Sequence, residues 1–264
     1  GFVFYTLNHN VHNGVILSNN TIHLDNSYFE FSKLEGDFTL EGKTIVGHSD
    51  TLKGNVTFKD TLYNHSATTY LLIDGNLTNN GALRNDVNGW SFEVYLRGNF
   101  HNNGYWHPRN TYLDAKSDQT ISQATGKWLE GQFNISDLSG NITLASDIAF
   151  KDGHIYFNGG KIIAGNFMFY TLNQNLHNGT IESNNKIHLD QSFFEFSKLS
   201  GNFTLEGKTV VGAADTLKGN ITLVDTVYNY TATTYLLVDG NLTNNGALKN
   251  DAGGWSFEVY LRGN

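Results

Sequence analysis

Leu52-Lys53-Gly54-Asn55-Val56 is followed 21 residues on by Ile73-Asp74-Gly75-Asn76-Leu77, and 23 residues after that by Leu96-Arg97-Gly98-Asn99-Phe100. Leu34-Glu35-Gly36-Asp37-Phe38 precedes the first of these by 18 residues. The shared pattern is an apolar residue, any residue, Gly, an amide or acid, then a second apolar residue. It returns at Leu138-Ser139-Gly140-Asn141-Ile142 and Ile163-Ala164-Gly165-Asn166-Phe167. A glycine marker at this interval matches one turn of a β-solenoid. Between markers the polarity alternates with period two, as in Trp90-Ser91-Phe92-Glu93-Val94-Tyr95-Leu96-Arg97. That alternation sends Trp, Phe, Val and Leu inward and Ser, Glu, Tyr and Arg outward, and no helical period is sustained. The sequence therefore predicts an all-β, right-handed parallel β-helix (a β-solenoid) with coils of about 20 residues.

A longer period contains the shorter one. Residues 2–99 recur at 167–264 with 75 of 98 pairs identical, an offset of 165. No Pro/Ser/Gly-rich seam separates the copies, so residues 1–264 read as one continuous solenoid, a window on a longer array. At a strand spacing of about 4.8 Å, one long period of roughly eight coils would measure roughly 40 Å. Gly131 also fits the marker but lies nine residues before Gly140, so the two cannot mark one corner. Residues 105–135, with Trp106-His107-Pro108-Arg109, are expected to hold a longer loop or irregular coil.

Composition agrees with strand ladders. Pro occurs once, whereas Asn occurs 34 times and Gly 28 times in 264 residues. Ladders have no use for a residue without an N–H, and Asn and Gly tolerate left-handed corners. Cys is absent, which removes disulfides and thiolate chemistry. The net charge of −8 with scattered Lys and Arg lacks the basic footprint of a nucleic-acid binder. No apolar run reaches membrane-spanning length, so no membrane insertion is expected of this segment.

Stacking the coils on their glycines predicts two columns, and the alternation adds a set of outward tyrosines. Glu35, Lys53, Asp74 and Arg97 form a charge ladder of alternating sign, worth roughly 0.2–1 kcal/mol per facing pair and lost on a one-rung slip. Asn55, Asn76, Asn99, Asn141 and Asn166, with Asp37 at the head, form an amide ladder. Tyr70 and Tyr95 project outward on adjacent coils, as do Tyr235 and Tyr260, and such aromatics offer a surface on which sugar rings stack.

At Gly75-Asn76-Leu77-Thr78-Asn79-Asn80-Gly81-Ala82-Leu83, Gly98-Asn99-Phe100-His101-Asn102-Asn103-Gly104 and Asp118-Gln119-Thr120-Ile121-Ser122 the chain resembles the Asn/Gly-rich parallel β-helix repeats of large secreted and surface proteins of Bacteroidota and related bacteria. The resemblance implies an extracellular or bacterial cell-surface location and an adhesin-like or fibre-forming role. It implies neither an activity nor a particular ligand.

No catalytic residue, metal site or cofactor is assigned. Asp25 with Glu30, Asp190 with Glu195 and Asp86 with Glu93 are carboxylate pairs of the kind β-helix hydrolases use, but their spacing equally suits solvent-facing strand and turn positions. His12 and His23 return as His177 and His188, while His9, His48 and His65 are replaced by Gln174, Ala213 and Tyr230, without ligand spacing. Asn-x-Thr matches carry no separate signal where Asn and Thr already serve turns and strands. Asp-Thr-Leu/Val at Asp50, Asp60, Asp215 and Asp225 resembles an O-glycosylation motif, and strand ends explain it as well. An ice-binding grid ranks last, because Thr falls at varied offsets. The expectation is a non-enzymatic structural or adhesive rod that self-associates end to end or laterally. The alternative is a carbohydrate-binding or polysaccharide-degrading β-helix, with surface glycans as partners.

Overall fold

The computed structural model describes residues 2–65, 68–86, 90–136, 140–230, 233–251, 253 and 255–264. Among these there is no helix, and the strands pair in parallel as a β-solenoid with coils of about 21 residues. The chain divides into two compact units, residues 1–133 and 134–264.

In the first unit every strand pairs with the third strand after it, so each coil contributes one strand to each of three faces. The first face begins with Phe4–Leu7, Thr21–Asp25, Phe38–Glu41 and Val56–Phe58; the second with Asn10–His12, Ser27–Glu30 and Thr44–Val46; the third with Val15–Leu17, Lys33–Glu35 and Ser49–Lys53. Inward positions stack like on like. Leu34, Leu52, Ile73, Leu96 and Leu113 form one column of the core. Another begins apolar, with Ile22, Leu40 and Phe58, and continues as Asn79, Asn102 and Gln123. Those amides are buried, and Asn79 Nδ2 donates to Asn102 Oδ1 at 2.8 Å. A buried amide without a partner would cost about 1–3 kcal/mol, and the Asn79–Asn102 bond, with Asn79 Nδ2 also donating to the Tyr105 carbonyl at 3.1 Å, offsets part of that cost.

The glycine markers sit directly over one another. A Cβ on Gly54 would lie 2.3 Å from the Gly36 carbonyl oxygen, and one on Gly75 would lie 2.0 Å from that of Gly54. Gly54 has φ +113° and Gly75 φ +152°, so both backbone shape and space require glycine here. The second unit repeats the stack at Gly201, Gly219, Gly240 and Gly263. Gly131 belongs to a different corner, packed over the Pro108 carbonyl.

Three local expectations change. Residues 105–131 carry short regular strands at Tyr105–His107, Asn110–Leu113, Gln119–Gln123 and Leu129–Glu130. Trp106 fills the inward position above Leu83, and Pro108 falls between strands, where no ladder N–H is needed. Trp90 is 72% exposed outside the strand Phe92–Leu96, because inward alternation begins only at Phe92. Gly165 is not a stacked corner: a Cβ there would meet nothing within 4 Å, and the ladder slips between Ile163 and Gly165. The Leu138-Ser139 part of its companion marker lies outside the described residues.

Candidate functional site

Function on a solenoid falls to the outward columns, because the interior is filled by packed side chains. On the third face of the first unit, Tyr70 lies beside Glu93, and Tyr95 lies between Leu72 and Tyr112. Tyr95 and Tyr112 stack at 4.4 Å between ring centroids, 6° from parallel, and the Tyr95 hydroxyl donates to Glu93 Oε2 at 3.3 Å. Burial, Tyr112 and Glu93 together push the Tyr95 phenol up to about 12. One ring face of Tyr95 is thereby covered by its neighbour. Tyr70 and Tyr235 are each 44% exposed. Tyr260 donates to Glu258 at 2.7 Å, repeating the Tyr95–Glu93 contact, and lies beside Leu237. Tyr70 and Tyr95 are thus diagonal neighbours rather than members of one column, and Tyr112 escapes a sequence reading because the rung offset here differs from that of the preceding coil.

The charged residues occupy neighbouring rungs. Glu35 accepts from Lys33 at 2.6 Å and Lys53 at 3.2 Å, and these two ammonium groups hold its carboxyl below the usual range. Lys53 lies beside Asp74 in the register, and Arg97 pairs with Asp114 at 3.6 Å. In the second unit Ser200 replaces Glu35, and Lys218 pairs with Asp239 at 3.9 Å.

The amide ladder runs Asn55 Nδ2 to Asp37 Oδ1 at 3.0 Å, Asn76 Nδ2 to Asn55 Oδ1 at 2.8 Å, and Asn99 N to Asn76 Oδ1 at 2.8 Å. The second unit matches it from Asn220 to Asn202 and from Asn241 to Asn220. Asn141 and Asn166 do not share a column. Asn141 lies beside Lys161 in the register, five residues before Asn166, whose carbonyl accepts from Asn185 instead. Alongside the amides, Thr21, Thr39, Thr57 and Thr78 align in one outward column, so the uneven sequence offsets of Thr conceal a regular row. It is a single row continued by His101 and Ser122, not a Thr-x-Thr grid.

The glutamates of the carboxylate pairs are engaged by neighbouring side chains, Glu30 by Tyr28, Glu93 by Tyr95 and Glu195 by His177. Asp25 and Glu30 end successive strands on either side of the Asn26 corner, and Glu30 is held by the Tyr28 hydroxyl at 2.9 Å and His12 at 3.4 Å. Asp60 accepts from the Gly42 N–H and Asp225 from the Gly207 N–H, each at 3.1 Å. Asp50 and Asp215 are buried and accept from the N–H groups of Ser32 and Ser197 at 2.9 and 2.8 Å. The Asp of each Asp-Thr-Leu/Val segment therefore caps a corner of the preceding coil. Burial raises the Asp50 carboxyl to about 7 and Asp215 to about 8, against the pull of backbone N–H donors. Asp-Thr recurs ten residues apart within each copy, a spacing that does not by itself separate a capping Asp from a solvent-facing one. Among the described residues no three His, Asp or Glu side chains gather as a metal site.

The fold and its outward columns define the class: a parallel β-solenoid repeat protein. No protein-family model, curated protein or solved structure matches the chain.

Proposed function

We propose that this chain is part of an extracellular structural or adhesive repeat protein, without enzymatic activity, whose stacked coils make a stiff rod. The observation that carries this reading is the stack of glycine corners, which recurs in both units and locks each coil onto the next through backbone contact. Coils sealed in this way can be extended by repetition without opening a strand edge along the shaft.

The differences between the copies support a load-bearing role. In the first unit Glu41 pairs with Lys59 at 2.7 Å; in the second, Lys59 is replaced by Val224 and Thr21 by Lys186, which now pairs with Glu206 at 2.9 Å. The cation has moved from one side of the glutamate to the other. Leu17 is likewise replaced by Glu182, which pairs with Lys161, while Glu35 becomes Ser200 one rung on. Neutralised rungs persist although their residues change.

Imaging chains with one, two and three copies of the 165-residue period tests the proposal. Rods lengthening by roughly 40 Å per copy are expected from the strand spacing; compact particles whose length does not follow copy number would refute it. The second reading, carbohydrate binding on an outer face, is favoured by the exposed rings of Tyr70 and Tyr235.

A further inference from the structure

The second unit carries a groove that the tyrosine face does not include. It is lined by Asn175, Phe193, Val210 and Tyr230. In the register His154 lies beside Asn175, Asn175 beside Phe193, and Phe193 beside Val210, so the groove follows one outward column. Phe193 meets Tyr230 edge to face at 6.3 Å, which gives the groove two aromatic walls at a steep angle. Tyr230 is 57% exposed and open to a ligand.

The adjoining column fixes the polar groups. Glu195 Oε1 lies 2.8 Å from His177 Nδ1, and His177 Nε2 lies 3.1 Å from His154 Nδ1. With Glu195 ionised, His177 donates from Nδ1, and its Nε2 accepts from the Nδ1–H of His154. That tautomer leaves His154 Nε2 as an acceptor. Burial and the neighbouring His177 hold His154 below the usual imidazole range. Tyr156 stacks on both imidazoles, at 5.5 and 4.7 Å, and restrains their orientation.

We propose that this groove binds one neutral pyranose residue of a glycan. A sugar ring presents an apolar C–H face that suits Phe193 and Tyr230, and hydroxyl groups that suit the Asn175 amide. The fixed charge beside the groove is the Glu195 carboxylate, which disfavours uronic acids and other anionic sugars. The first unit has Tyr28, Ile45 and His65 at the positions of Phe193, Val210 and Tyr230, and there the Tyr28 hydroxyl is tied to Glu30. The site rests on the carbohydrate reading above but places binding in this groove instead of on the Tyr70 and Tyr235 face, and it is independent of rod formation.

The test is a glycan array probed with the labelled full chain, followed by titration of the best-retained neutral oligosaccharide into Tyr230→Ala, Asn175→Ala and a Tyr70→Ala/Tyr235→Ala double variant. Retention of neutral over acidic glycans is expected, with affinity falling about tenfold in each groove variant and staying within about twofold in the double variant. Unfolding midpoints equal to wild type show that the variants remain folded. Capture of no neutral glycan, preference for acidic glycans, or unchanged affinity in Tyr230→Ala overturns the proposal. Loss in the tyrosine double variant alone overturns the groove while sparing carbohydrate binding on the tyrosine face.

Discussion

Gly54 shows what one position must satisfy in this fold: a left-handed φ of +113° and a neighbouring carbonyl oxygen 2.3 Å from where a Cβ would sit. Gly54→Ala is expected to destabilise the protein by about 2–3 kcal/mol, combining backbone strain with displacement of the rung below. Gly253→Ala, where a Cβ meets nothing within 4 Å, should change stability by less than about 0.5 kcal/mol, and urea unfolding compares the two. Asp50 and Asp215 make a second prediction. Their folded-state carboxyls are raised from 3.8 to about 7 and about 8, so the folded protein binds more protons than the unfolded chain between about pH 4 and pH 8. Stability should therefore fall as pH rises through that window and level off above it. The surface carboxyls of Glu35, Asp37 and Glu41, the first and last half-buried, are lowered instead, so their small contribution disappears on acidification below the ordinary carboxylate range. Urea midpoints should peak in mild acid, and Asp50→Asn/Asp215→Asn should flatten the decline toward pH 8. The glycines were legible in the sequence because nothing else fits the stacked corner. The two aspartates were not, since an Asp before Thr-Leu reads the same whether its side chain points to solvent or caps a coil.

At the scale of strands and columns, the alternation in Phe92–Leu96 was enough to assign inside from outside, with Phe92, Val94 and Leu96 buried and Glu93 and Tyr95 facing out. It failed at Trp90, which lies beyond the strand end, where period two no longer applies. Lateral neighbours were harder to read. The rungs from Asp37 through Asn55 and Asn76 to Asn99 are separated by 18, 21 and 23 residues, and the next by 21, so a fixed coil length misplaces side chains by a full alternation. This is why Tyr112 beside Tyr95, and the separation of Asn141 from Asn166, could not be read from spacing alone. The interior pair Asn79 and Asn102 gives a prediction at this scale. Asn79→Leu leaves Asn102 without its donor and should cost about 1–3 kcal/mol, whereas Asn79→Leu/Asn102→Leu should recover most of it, because Leu40 and Phe58 fill the same column below. Chemical denaturation of the two single variants and the double variant measures that coupling. The groove beside His154 depends on the second unit's own register and on Phe193 and Tyr230, two of the positions at which the copies differ.

For the molecule as a whole, what matters is that the described strand residues pair in register with neighbours one coil away. The absence of cysteine makes this register directly measurable. Thr57 faces Thr78 across adjacent parallel strands, and Thr78 faces His101 on the next. Neighbouring strands lie about 4.8 Å apart, within the Cα separation that a disulfide spans, whereas two rungs lie about 9.6 Å apart, beyond it. Oxidation of the paired variants Thr57→Cys/Thr78→Cys and Thr57→Cys/His101→Cys, read by thiol titration and peptide mapping, should close an intramolecular disulfide in the first and leave the second reduced. A disulfide in the two-rung pair with none in the adjacent pair would contradict the stacked-coil register.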